Sequence, residues 1–333
     1  MKGTEIMKPA ILIMDIISDA EAKAKLAEYA DITEIKSVKY EDLIAALPGK
    51  TAVIVPYTEH MLLDRSAIFA GQDLKLIGST YGGVRQNIDI EAAFERGLTI
   101  IHTGASRPRP MAEYTLALIL SSLLQIHNYH HYMRSGEAWP RSKYPRTRIL
   151  FNRAVGIIGY GRIGSGIVSL LKAFTADISV CSRHLSEADA AAAGLKKRSL
   201  NDLCANCEII ILAGGYTPET ARMIGREQFA AMKDKSLFVN IARGGMVDQQ
   251  AMIEAVNARE IYLALDVFEN EPLEADSPLR NNDRVLLTPH RANNSIEFEQ
   301  RWKCLTDELI TFLKGGTPES ALTRERAGVM SNS

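Results

Sequence analysis

Apolar runs of strand length alternate along the chain with stretches in which apolar residues recur at helical spacing. Residues 10–16, 52–56, 74–78 and 98–102 read as strands, and 20–29 and 87–96 as helices, the second stopping at Gly97. This alternation predicts a parallel sheet with crossover helices. A helical stretch from Met111 to about Met133 is longer than a routine crossover and reads as a spine. The polar segment after it holds Gly136, Pro140 and five Arg or Lys from Arg141 to Arg153; without apolar periodicity, it reads as a linker or arm.

A second and stronger series begins at Ala154. Its strands are 154–158, 178–182, 209–213, 237–240, 264–267 and 285–288, separated by helical segments. Six strands is the count of a full doubly wound dinucleotide fold. The last helix, 295–313, follows this completed set and is expected to cross back to the first domain.

Composition narrows the picture. At roughly 150 residues per domain, 333 residues predict about two domains. Hydrophobic residues at 46% and charged residues at 24% exclude a disordered chain, a collagen and a coiled-coil rod. The net charge of −1 gives no electrostatic reason to bind nucleic acid or an anionic membrane. The apolar run that starts at Ala10 is interrupted by Asp15, unlike a signal peptide, and the longest apolar stretch, 116–124, is about half a membrane span. A cytoplasmic protein is expected. Four cysteines are no disulfide framework. Cys204 and Cys207 form a lone C-x-x-C without further zinc ligands nearby; they read as small buried thiols, with a thioredoxin-like redox pair as the other reading.

The strand ending at Ile158 runs into Gly159-Tyr160-Gly161-Arg162-Ile163-Gly164 and then a helix with Ile163, Ile167, Leu170, Leu171 and Phe174 at helical spacing. Strand, G-x-G-x-x-G and helix in that order is the context a dinucleotide pyrophosphate requires. Gly159 permits the tight turn, Gly161 lets the backbone approach the phosphates, and Gly164 lets helix and strand pack closely. The helix start supplies free N–H groups and partial positive charge. Where an NAD enzyme usually ends its second strand with an acid for the ribose hydroxyls, this chain has Ser182, 18 residues after Gly164, followed by Arg183 and His184. A hydroxyl and a guanidinium suit a 2′-phosphate, so NADP(H) is favoured, with NAD(H) as the alternative cofactor. An exposed turn arginine is the competing reading of Arg183.

Three further stretches leave strand C-termini, where open α/β sheets bind ligands. These are Asn240-Ile241-Ala242-Arg243-Gly244-Gly245, Asp266-Val267-Phe268-Glu269-Asn270-Glu271-Pro272 and Thr288-Pro289-His290. One cation, one carboxylate and one histidine converge there. With the phosphate loop, Thr217-Pro218-Glu219-Thr220 and Met111-Ala112-Glu113-Tyr114-Thr115-Leu116-Ala117, the ordered set resembles the D-isomer-specific 2-hydroxyacid dehydrogenase family over most of residues 75–295. Its NADPH-dependent glyoxylate and hydroxypyruvate reductases look nearest, because of Ser182 and Arg183.

The resemblance implies an α/β fold of two doubly wound parallel-sheet domains. A Rossmann cofactor domain (residues 107–295) would be inserted into a discontinuous, flavodoxin-like substrate domain (1–106 with 296–333). It implies His290 as acid/base, which histidine's near-neutral titration suits, and Glu271 as the carboxylate that orients the imidazole and favours its charged form. Glu269 is the rival, but the family position directly precedes Pro272. Arg243 would grip the carboxylate and carbonyl of a 2-oxo acid with its fork geometry. Backbone N–H groups of Gly82, Gly83 and Val84 would complete the carboxylate site. Gly159, Gly161, Arg162, Ile163, Gly164, Ser182, Arg183, Ile241, Ala242 and Asp266 would hold the cofactor, Asp266 near the nicotinamide. No metal is implied.

The expected activity is reduction of a small 2-oxo acid to the D-2-hydroxy acid, by a homodimer. Two alternatives are a relative acting on a larger or phosphorylated acid with NAD, and a dinucleotide-sensing binding protein. Departures are Gly214-Gly215-Tyr216 in place of the family's Leu-Pro, and Gln86-Asn87 in place of Asp before Asn. Arg107 and Arg109 read equally as contacts for an acidic substrate group and as solvated loop arginines. Trp139, in the arm, either packs at an interface or, as in related reductases, reaches a partner's site.

Overall fold

The computed structural model describes residues 7–58, 60–103, 108–142, 146–296 and 300–329. The chain divides into two compact units, Met1–Arg107 with Ile296–Ser333, and Pro108–Ser295. Each is built on one parallel sheet.

In the first unit β1 (Ala10–Ile13), β2 (Asp31–Glu34), β3 (Ala52–Val55), β4 (Leu76–Ser79) and β5 (Thr99–His102) run in the order β2-β1-β3-β4-β5. Alternate residues feed opposite faces. Leu12, Val53, Val55 and Ile77 enter one buried cluster, and Ile11, Ile13, Ile54 and Leu76 enter another with Trp302, Leu305 and Leu309 of the helix Gln300–Leu313. That two-sided burial is why the strands read as unbroken apolar runs. Strand β2 escaped the sequence reading because its Asp-Ile-Thr-Glu lies exposed or half-buried at the sheet edge. The helix expected from Asn87 begins at Ile90, since the Asp89 carboxylate caps it by accepting from Ala92 N–H at 2.9 Å.

The second unit holds β6 (Val155–Ile158), β7 (Ile178–Cys181), β8 (Lys196–Lys197), β9 (Ile209–Leu212), β10 (Leu237–Asn240), β11 (Tyr262–Leu265) and β12 (Val285–Leu287). Their order is β12-β11-β10-β9-β6-β7-β8. The chain direction across the sheet reverses between β6 and β9, which makes that gap the switch point where such sheets bind ligands. Strand β8, two lysines with neither apolar pattern nor length, is the one beyond the six expected.

The long helix is two helices, Pro108–Leu123 and Ile126–Arg134. Gln125 separates them with a left-handed φ of 56°, its side chain donating to Ser122 O (2.7 Å) and accepting from Asn128 Nδ2 (2.8 Å). Those bonds hold a conformation that costs a non-glycine residue of order 1 kcal/mol. The first of the two helices buries Met111, Ala112, Leu118, Ile119 and Leu123 against the sheet.

Candidate active site

Six strand ends of the second unit form one row. Cys181, Ile158, Leu212, Asn240, Leu265 and Leu287 are each in register with the next along the sheet. Each strand's next residue therefore lies on a common rim: Ser182, Gly159, Ala213, Ile241, Asp266 and Thr288.

The phosphate loop occupies the switch point. Gly159 has φ +97°, and a Cβ there would meet the Gly214 backbone at 2.5 Å. A Cβ on Gly164 would lie 2.3 Å from Gly159 O, so this glycine allows the helix to sit on the turn. A Cβ on Gly161 would meet nothing within 4 Å, so the backbone there faces open space. Gly161 precedes the ten-residue helix Arg162–Leu171, which has no side-chain cap; Arg162 is exposed, while Ile163 is half-buried. A bare helix start facing a Cβ-sized gap fits a dinucleotide pyrophosphate. Beside it Ser182 is half-buried and Arg183 exposed. Arg183 is also within electrostatic reach of Glu219, whose carboxyl is held below its ordinary pKa first by a hydrogen bond from Thr217 and least by Arg183.

His290 and Glu271 are brought together. His290 Nδ1 lies 2.7 Å from Glu271 Oε2, and Phe268 N–H donates to Glu271 Oε1 at 3.0 Å. The carboxylate fixes the ring through one oxygen while the backbone fixes it through the other. Glu269 faces elsewhere and pairs with Arg222 at 2.5 Å. The imidazole is 36% exposed, which leaves it reachable by a ligand.

Asp266 is fully buried and does more than the sequence showed. Its Oδ1 accepts from the Thr288 hydroxyl (2.6 Å) and Arg291 N–H (2.9 Å), its Oδ2 from Ala292 N–H (2.9 Å), and its carbonyl from His290 N–H (2.8 Å). These bonds hold the turn in which His290 adopts a left-handed φ of 51°. Tyr114 lies near this cluster, and burial raises the pKa of its hydroxyl. Both carboxylate oxygens of Asp266 are thus engaged within the protein.

Arg243 stands in extended backbone just beyond β10, half-buried, with Nη1 donating to Ala242 O at 2.7 Å. Ile241 and Ala242, which precede it, are buried. Buried Asn240 braces this turn, accepting from Ala242 N–H (3.0 Å) and donating to Arg243 O (3.2 Å). A Cβ on Gly244 would fall 1.8 Å from the carbonyl carbon and oxygen of Phe268, so the Arg243 and Glu271 segments cross backbone to backbone. Asn240, Phe268 N–H and this crossing were missed by sequence reasoning. Only the apolar–polar switch at the end of each strand hinted at them.

In the first unit Gly82 and Gly83 are half-buried and Val84 is buried, in the turn after β4. Their N–H groups donate to no described residue. Arg109 pairs with Glu113 on the helix surface at 2.9 Å, and Arg107 lies outside the described residues. Cys204 and Cys207 are buried, and burial pushes the Cys204 thiol up to about 12, which favours packing over redox use. Among the described residues no His, Cys, Asp and Glu group could hold a metal ion, and no helix is long and apolar enough to cross a membrane.

Residues 116–292 match the family model "D-isomer specific 2-hydroxyacid dehydrogenase, NAD binding domain". The chain is 33% identical over 290 residues to a D-3-phosphoglycerate dehydrogenase of Mycobacterium leprae, covering 86% of itself and 54% of that protein. The chain thus spans about half the length of this relative. It is 30% identical over 315 residues to a glyoxylate reductase of Aeropyrum pernix, with 92% of this chain and 93% of that protein covered. A solved glyoxylate reductase of Paecilomyes thermophila superposes with a TM-score of 0.79 at 25% identity, covering 96% of this chain and 99% of that one.

Proposed function

The chain belongs to the D-isomer-specific 2-hydroxyacid dehydrogenase family, and on that premise we propose that it reduces 2-oxo acids to D-2-hydroxy acids, with glyoxylate and hydroxypyruvate as its smallest substrates. The observation that carries the reading is the clamped pair of His290 and Glu271 on the same sheet rim as a glycine loop whose backbone faces open space. A bound NADPH would supply hydride to the carbonyl carbon. His290 would deliver the proton to the carbonyl oxygen and take it back in the reverse direction. Glu271 would keep the ring oriented and stabilise its charge. Arg243 would hold the carboxylate and offset negative charge growing on the oxygen.

Gly159, Gly161, Arg162, Ile163 and Gly164 would hold the pyrophosphate, and Ile241 and Ala242 would line the cofactor. Ser182 and Arg183 support a preference for NADP(H) over NAD(H). Exposed Ile126, Met133, Trp139, Ile149 and Phe151, clustered in one stretch of chain, support a homodimer. The D-3-phosphoglycerate dehydrogenase relatives favour a second reading, an NAD-linked enzyme for a phosphorylated acid. Assaying 2-oxo acids with NADPH and NADH in parallel, alongside oxidation of 3-phosphoglycerate, decides between them. NADPH-linked reduction of 2-oxo acids is the expected result; turnover confined to the phosphorylated acid would overturn it.

A further inference from the structure

A cavity of about 340 Å³ opens alongside the His290–Glu271 pair, wholly within the second unit. Its carbon walls are Phe268, Pro272, Leu273, Leu287 and Pro289. Four polar side chains also reach it, Glu271, Arg280, Thr288 and His290, and each makes at least one bond within the protein. Glu271 holds Phe268 N–H and the His290 ring. The Thr288 hydroxyl donates to Asp266. Arg280 donates from Nε to Glu274 O and from Nη2 to Leu273 O, both at 2.8 Å. The space therefore offers a ligand mainly apolar contact, with an acid/base at its edge. Glyoxylate carries only hydrogen where a side chain would enter, and would leave the cavity to on the order of ten waters at ~30 Å³ each.

We propose that this cavity receives the apolar side chain of the 2-oxo acid whose carbonyl His290 protonates. The preferred substrates then carry a branched aliphatic or aromatic group. This inference rests on the reductase reading above and narrows its substrate class. Hydroxypyruvate gains little from the cavity, because its hydroxyl would face walls with few unengaged partners. Each methylene buried there should multiply kcat/KM by about fourfold.

The test compares glyoxylate, pyruvate, 4-methyl-2-oxopentanoate, phenylpyruvate and 2-oxoglutarate at saturating NADPH and NADH. The wild-type protein should show a kcat/KM for 4-methyl-2-oxopentanoate at least about tenfold above pyruvate, from several methylenes buried. Filling the cavity with Leu287→Phe, and separately with Leu273→Phe, should lower the ratio of 4-methyl-2-oxopentanoate to glyoxylate turnover at least about tenfold, as overpacking removes the space. Two variants on different walls guard against one that fails to fold. Equal efficiency for pyruvate and the branched acid overturns the cavity assignment and leaves the reductase standing. A preference for 2-oxoglutarate overturns it in favour of an anion site at Arg280. No turnover of any 2-oxo acid with either cofactor overturns the reductase reading itself.

Discussion

Glu271 approaches His290 to 2.7 Å with one carboxylate oxygen while its other oxygen is held by the Phe268 N–H at 3.0 Å. The imidazole is thus tied to the backbone through a charged intermediary whose own position is fixed. Glu271→Gln keeps the size and one acceptor but removes the charge. It should lower kcat roughly ten- to a hundredfold, within the range expected of acid/base assistance. Glu269→Gln breaks only a largely exposed pair with Arg222 and should stay within about twofold, as exposed pairs contribute little. Steady-state kinetics of the two variants side by side check the assignment; equal effects would remove Glu271 from its role.

Asp266 makes a stability prediction independent of any cofactor. Asp266→Asn replaces a carboxylate that accepts one O–H and two N–H bonds, and turns an amide toward at least one of those donors. The expected loss is about 2–4 kcal/mol, since hydrogen bonds to a buried charge are the strong ones. Thermal melting without nucleotide should show a transition several degrees lower. An unchanged melt would mean that Asp266 serves the cofactor rather than the turn.

Two glycines of the phosphate loop should part company. Gly161→Ala adds a methyl to open space and should leave the melting temperature within about 1 °C, while NADPH binding weakens at least about tenfold through lost backbone approach. Gly164→Ala drives a methyl into Gly159 O and should cost more than about 2 kcal/mol. Calorimetric titration with NADPH, paired with a melt, separates the two. Intact NADPH affinity in Gly161→Ala would move the cofactor elsewhere.

Arg183→Ala tests the cofactor preference. Loss of a guanidinium that meets a 2′-phosphate should weaken NADPH by at least about tenfold, while NADH changes less than about twofold. Glu219 lies within reach of the same guanidinium, so Glu219→Gln should strengthen NADPH modestly. Fluorescence titration with both nucleotides reads this directly, and parallel losses would remove the argument.

The architecture was legible wherever burial is two-sided. Runs such as Val53–Val55 and Ile209–Leu212 can be little else than central parallel strands. Strands β2 and β8 were not legible, because edge strands with polar sequence carry no such imprint. The break at Gln125 was hidden because a side chain, not a glycine or proline, secures it. His290, Glu271 and Arg243 stood out because their residue types and spacing carry chemistry. The clasp made by Asp266 and the brace made by Asn240 did not, since both depend on backbone N–H directions that only the turns themselves define.

The crossing at Gly244 has a consequence for how such a protein can change. With no room for even a methyl between Gly244 and Phe268, the loop that carries the arginine and the loop that carries the glutamate behave as one mechanical part. Insertions or drift in either would be transmitted to the other. New substrate preferences would then arise most readily in walls such as Leu273 and Leu287, which can be recut while the shared hinge of the chemistry is inherited as a block.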